Sequence, residues 1–186
     1  MESITLRPTA LQKRVDSSYW TNYNYAYDNN ETTYANNVNS IVHFRVNLSS
    51  LPSNAVIKSG YLRILYYRIG STDSIPYGGF SYTNSSTNTP TQLSNNKATL
   101  TSYHTKEWTE TAVFNFTEAE QSTWKSSTYP CIWMHGQSGR VYEIQYVLTY
   151  EVPVTSKIYV GGSQALEVYV GSTKATAVYI GSTRIL

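Results

Sequence analysis

At 186 residues, 40% of them apolar and only 14% charged, the chain is long enough for one ordinary domain with an appendage and too apolar to be wholly disordered. A net charge of +2 with no Lys/Arg cluster argues against nucleic acid, and a single cysteine, Cys131, excludes an intramolecular disulfide. No stretch is long and apolar enough for a signal peptide or a membrane span, so the expectation is a protein made in the cytoplasm that leaves, if at all, by lysis or inside a particle.

Ser, Thr, Asn and 18 tyrosines take the place of the missing charges. Tyr favours strands and tolerates a half-wet surface, its ring covered and its hydroxyl in water. Two readings follow: ordinary outward-facing strand residues, or a surface that contacts sugars or proteins.

In chain order, Tyr19-Trp-Thr-Asn-Tyr-Asn-Tyr-Ala-Tyr27 reads as an aromatic loop. Val42 to Leu48 alternates, with Val42, Phe44, Val46 and Leu48 on one face and His43, Arg45 and Asn47 on the other, which predicts a strand with one buried face. A long strand is predicted from Val56 to Arg68, with Ile57, Tyr61, Ile64 and Tyr66 as bulky positions and Gly60 marking a bulge or bend. Gly70 to Asn96 reads as a long loop, with room for a short strand at Phe80-Ser-Tyr82.

Strands are predicted again over Ala98–Tyr103 and Ala112–Phe116. Thr117 followed three residues later by Glu120 is a capping-box signature and opens a two-turn helix through Trp124. Strands at Pro130–Met134, where Cys131 reads as a small core residue, and at Val141–Val152 complete the body. Tyr142, Ile144, Tyr146, Leu148 and Tyr150 should share one face of the last strand.

The remainder is a repeat of period ten. Lys157-Ile-Tyr-Val-Gly-Gly-Ser-Gln-Ala-Leu166 is followed by Glu167-Val-Tyr-Val-Gly-Ser-Thr-Lys-Ala-Thr176 and Ala177-Val-Tyr-Ile-Gly-Ser-Thr-Arg-Ile-Leu186. Each unit reads as one short strand around a Tyr followed by a Gly-Ser-Thr turn, together a meander of hairpins. Three such strands bury little, so they are expected to dock on their own sandwich, on sister subunits or on another protein. Tyr159, Val160, Tyr169, Val170, Tyr179, Ile180 and Leu186 are the candidate assembly residues.

Candidate chemistry is sparse. His43, His104 and His135 are far apart and lack metal-ligand spacing, and no nucleophile elbow, P-loop or His-Glu-x-x-His is present. His135-Gly-Gln-Ser138 resembles a catalytic element only superficially. Glu107 and Glu110 flank Trp108 as glycosidase carboxylates would, although ordinary surface residues read the same. Asp16, Asp28 and Glu31 offer oxygen for Ca²⁺ without a diagnostic spacing. Trp20, Tyr23, Tyr25 and Tyr27, with Tyr77, Phe80 and Tyr82, make a candidate glycan or partner platform, since sugar rings stack on aromatic faces. Alternate aromatics feeding a core are the competing reading. No catalytic residue, cofactor or metal is assigned.

Ile4-Thr-Leu-Arg-Pro-Thr-Ala10, with Val42 to Ile64 and its Leu51-Pro52 and Tyr61-Leu62 elements, resembles the DNRLRE-type jelly-roll domains of bacterial surface and secreted proteins. Trp108-Thr-Glu110 echoes that family's Trp-Thr-Glu motif. The Tyr-Val-Gly-Ser-Thr-Lys decapeptides resemble the ends of virion proteins from phages and prophages of Gram-positive hosts. The resemblances imply an all-β, jelly-roll-like antiparallel sandwich over 1–153 with one short helix, and a repetitive β-meander over 154–186. They further imply a non-enzymatic virion protein, a capsid decoration, head fibre or tail component, whose partners are other virion proteins or sister copies in a homo-oligomer. A host cell-surface glycan is a further expected partner; nucleic acid and membrane are not. The alternative is a carbohydrate-binding module of a secreted or wall-associated bacterial protein. Met1 and the complete last repeat read as a whole protein.

Overall fold

The computed structural model describes residues 1–15, 21–37, 40–69, 76–99, 104–136 and 139–153, and the backbone of short strands between 158 and 184. The chain divides into two units, Met1–Val152 and Pro153–Leu186.

In the first unit the elements are β1 (Glu2–Leu6), β2 (Pro8–Arg14), a 3-10 turn at Tyr23–Ala26, β3 (Ala35–Asn37), β4 (Ser40–Val46), β5 (Val56–Arg68), β6 (Tyr77–Thr83), β7 (Thr91–Gln92), β8 (Asn96–Lys97), β9 (Lys106–Glu110), β10 (Phe114–Asn115), α1 (Glu118–Ser126), β11 (Tyr129–Gly136) and β12 (Gly139–Glu151). Every strand pair is antiparallel, and the pairs nest. β1 meets β12, β4 meets β11, β5 meets β9 and β10, and β6 meets β7 and β8. Rolling that long hairpin so that β12 also meets β5 and β11 also meets β6 closes two sheets. The first runs β1-β12-β5-β10 with β3 and β9 attached, and the second runs β2-β4-β11-β6-β7 with β8 attached. The result is a jelly-roll sandwich, the predicted fold class.

Alternation puts Val42, Phe44 and Val46 of β4 into the core, with Ile132 and Met134 of β11 beside them. Opposite stand Ile57, Leu62, Ile64 and Tyr66 of β5 and Val141, Ile144, Tyr146, Leu148 and Tyr150 of β12. Two bulges reset the alternation. On β5 the register slips at Lys58, which lets both Ile57 and Leu62 face inward. On β12 it slips at Tyr142, so Val141 and Ile144, three residues apart, both reach the core. Tyr142 therefore leaves the face expected of it and stays half-exposed on the outer side. The bulge, not the side chain's hydropathy, decides its place.

Gly60 sits where the two sheets approach. A Cβ there would stand 2.6 Å from Phe80 Cζ and 2.8 Å from the Val147 carbonyl oxygen. Gly60→Ala is expected to destabilise the body by about 1–3 kcal/mol through overpacking. Denaturant unfolding checks this, and an unchanged midpoint would refute the tight contact.

Three expectations change. The long loop of 70–96 holds β6, whose Phe80 lies in the core, followed by β7 and the start of β8. Its two glycines look like loop residues but permit close approach: a Cβ on Gly78 would meet the Trp133 carbonyl oxygen, and one on Gly79 would meet Ser94 Oγ. In the predicted strand Ala98–Tyr103 the structure shows a single bridge, Ala98 to Thr111, with 100–103 outside the described residues. Lys106–Glu110, where no strand is predicted, is β9, paired along its length with β5.

The helix forms as predicted, with both halves of the capping box: Thr117 Oγ1 accepts from the Glu120 N–H, and Glu120 Oε2 accepts from the Thr117 N–H.

In the second unit β13 (Ile158–Val160) pairs with β14 (Ser163–Ala165), β15 (Tyr169–Val170) with β16 (Thr173–Lys174), and β17 (Tyr179–Ile180) with β18 (Thr183–Arg184). Each decapeptide thus contributes two short strands that pair with each other. Among the described residues no hairpin pairs with another.

Candidate binding face

The outer faces of the two sheets differ. That of the second sheet is covered. Gln12 Nε2 donates to the Ser85 and Ser86 carbonyls and Lys13 Nζ to that of Thr87, drawing the segment after β6 towards β2. Trp133 Nε1 donates to the Ser94 carbonyl at 2.8 Å. Trp133, His43, Cys131 and Ser81 are consequently buried although they point away from the core. His43 was expected on a wet face; here its Nδ1 lies 3.0 Å from Ser81 Oγ, and its Nε2 has no partner among the described residues. Burial holds the imidazole down at about 4 and pushes the Cys131 thiol up to about 12. A neutral, fully enclosed His–Ser pair beside an inert thiol is packing, not a nucleophile with access to substrate.

The outer face of the first sheet keeps half-exposed rings and accessible cations around buried Leu65, Glu143 and Gln145. Tyr67 of β5 is in register with Lys106 on β9 and with Arg140 on β12, which makes one row across three strands. The next row is Trp108, Leu65 and Glu143, and the one after is Glu110, Arg63 and Gln145. Rings and cations interleave along these rows. The Arg140 guanidinium lies 4.6 Å over the Tyr34 ring and 5.6 Å from that of Tyr67, and Lys106 Nζ lies 4.9 Å over Tyr142. Tyr34 and Tyr142 meet at 5.3 Å, and Arg63 lies 4.4 Å over Trp108. Arg63, Trp108 and Glu110 line an open groove of about 460 Å³ with Thr99 and Thr111. Glu143 is enclosed and hydrogen-bonded by Arg7; burial raises its carboxyl pKa against the opposing pull of that guanidinium.

The predicted platform is dispersed. Trp20 lies outside the described residues. Tyr23 and Tyr27 pack partly buried against the core, Tyr27 edge-on to Phe44 at 5.6 Å, and only Tyr25 of that segment stands apart from it, half-buried. Phe80 is fully buried among Phe114, Phe116 and Trp124, so it is withdrawn from any ligand. Tyr82 packs on the core, and Tyr77 stacks on His135 at 4.7 Å. Among the described residues no ring contact joins the 23–27 group to the β6 group. Tyr159, Val160, Tyr169, Val170, Tyr179 and Ile180 lie in the hairpins, where only the backbone is described, and Leu186 lies outside the described residues.

The other candidates resolve by geometry. Glu107 and Glu110, three apart on a strand, point to opposite faces, so they do not form a carboxylate pair. Asp28 spends its oxygens on the Asn30 N–H and the Thr33 hydroxyl, which makes it a turn builder; Asp16 lies outside the described residues. Among the described residues no group of three or more His, Cys, Asp or Glu is placed to hold a metal ion. No family model matches the chain, and no curated protein matches it.

Proposed function

We propose that this chain is a non-catalytic structural protein of a phage particle, a decoration, fibre or tail component, which displays its jelly roll and assembles through the C-terminal repeats. One observation carries the reading: three hairpins in the same register, ten residues apart, each paired only with itself among the described residues. A two-stranded hairpin is at best marginally stable alone in water. Strands so short are completed by pairing with, or burial against, a neighbouring copy or another particle protein. The Tyr-Val-Gly-Ser-Thr pattern supports a virion as the place where that neighbour is found.

Removing residues 154–186 tests this. The full chain is expected to associate with particles and to run as an oligomer, and the truncated body as a folded monomer excluded from particles. Normal incorporation of the truncated body would overturn the reading. The alternative, a carbohydrate-binding module of a wall-associated protein, is favoured by the aromatic and cationic rows on the outer face of the first sheet. Portal, terminase and tail genes beside this one would decide for the particle.

A further inference from the structure

The row formed by Lys106, Tyr67 and Arg140, with Tyr34 and Tyr142 beside it, is not used up by the fold. All three rings and Arg140 are half-exposed, and Lys106 is exposed. Among the described residues no carboxylate lies within ion-pair distance of Arg140 or Lys106; the ion pairs formed are Arg7–Glu143, Lys58–Glu151 and Arg63–Glu110. Lys106 donates to the Glu31 carbonyl, which fixes the ammonium over Tyr142 but leaves its charge uncompensated. Arg140 Nε is itself enclosed and has no acceptor among the described residues, so an incoming anion has to be met by the Nη groups.

Stacking on Tyr34 orients the guanidinium and leaves the in-plane edge between its two Nη groups for a bidentate anion. The rings offer flat apolar faces whose hydroxyls reach water. A donor-rich site on the sheet face, where β5 ends and β9 and β12 begin, with cations set between rings, matches a ligand that alternates apolar ring faces with acidic groups.

We propose that this face binds an anionic polysaccharide, with sugar faces on Tyr34, Tyr67 and Tyr142 and acidic groups on Arg140 and Lys106. Nucleic acid is the poorer fit, because its affinity rests on many phosphate contacts and the chain carries a net charge of only +2. Acidic peptides add to sheet edges by backbone pairing or lie in grooves, whereas this row offers side chains across the face of three strands already paired with one another. The site stands whether the jelly roll is displayed on a particle or on a wall. Its failure would leave the assembly reading intact, since truncation of 154–186 reads that one.

The test titrates the full chain, at low salt, with oligogalacturonate, with a phosphodiester-linked hexose polymer, with a neutral β-glucan and with duplex DNA, read by calorimetry. Saturable binding to at least one of the first two is expected, weakening with added salt. It should weaken at least tenfold in Arg140→Gln and in Lys106→Gln at unchanged melting temperature. Binding of galacturonate alone assigns the acid to carboxylate, of the phosphate polymer alone to phosphodiester, and of both to either. Arg140→Lys keeps the charge but loses the fork and the stack, so it too should weaken binding, which covers the case in which Arg140→Gln does not fold. The proposal is overturned if neither acidic polymer binds, if neutral glucan or DNA binds as tightly, or if folded variants bind like the native chain.

Discussion

Replacing Trp124 by alanine is expected to lower the unfolding free energy of the body by about 4 kcal/mol, within the range of about 3–5 kcal/mol for truncating a buried Phe or Trp. Apart from an exposed Ala119 the nine-residue α1 is otherwise polar, and Trp124 is its one buried side chain. The indole fills the space between Phe80, at 5.2 Å, and Phe116, at 5.6 Å. Its Nε1 donates to the carbonyls of Ser81 at 2.9 Å and Cys131 at 3.0 Å, two residues that face each other across β6 and β11. The ring therefore ties the helix to the centre of the second sheet. A helix this short is not stable alone, so losing its anchor should also release α1. Trp124→Phe separates the two contributions: it keeps most of the packing and removes the donor, for about 1–2 kcal/mol. Denaturant midpoints and far-ultraviolet circular dichroism read both. A cost below about 1.5 kcal/mol for the alanine variant would show that the site collapses around the hole and that the helix is not anchored there.

The same residues show what a sequence can and cannot reveal. Strands β4, β5 and β12 were legible because one of their faces meets the core, so apolar residues recur with period two. The cap of α1 was legible because it is chemistry local to four residues. β6 was legible only at Phe80–Tyr82, since a strand covered on both faces by close neighbours uses glycine and serine where alternation would place bulk. The outer face of the first sheet was missed for a different reason. Tyr34, Tyr67, Lys106, Arg140 and Tyr142 come from separate elements, and only the pairing of β9, β5 and β12 assembles them. One signal was available: Glu143, a carboxylate in an otherwise apolar run between Val141 and Ile144, marks the point where simple alternation fails. With the bulge placed there, Tyr142 turns outward and the row is visible.

Acid should weaken the fold through one imidazole. His43 has no solvent exposure, and burial holds its pKa at about 4, against about 6.5 for a histidine in the unfolded chain. Above about pH 6.5 both states carry it neutral, and its contribution to stability is fully present. Between about 6.5 and 4 the unfolded chain takes up a proton that the folded chain refuses, so stability falls as pH falls. At about 1.36 kcal/mol per unit, the loss by pH 4 is on the order of 3 kcal/mol. Glu143 acts with the opposite sign, because its raised folded pKa means that the native state takes up its proton first as the solution is acidified. The comparison that isolates His43 is therefore with His43→Asn, whose amide can still meet Ser81 Oγ and in which Glu143 titrates as before. Urea midpoints measured from pH 7.5 to pH 4 should fall more steeply for the native chain than for the variant, with the gap opening below about pH 6.5. Parallel curves would mean that water or a nearby acceptor reaches the imidazole and stabilises its charged form, which would also remove the case for treating the covered face of the second sheet as sealed.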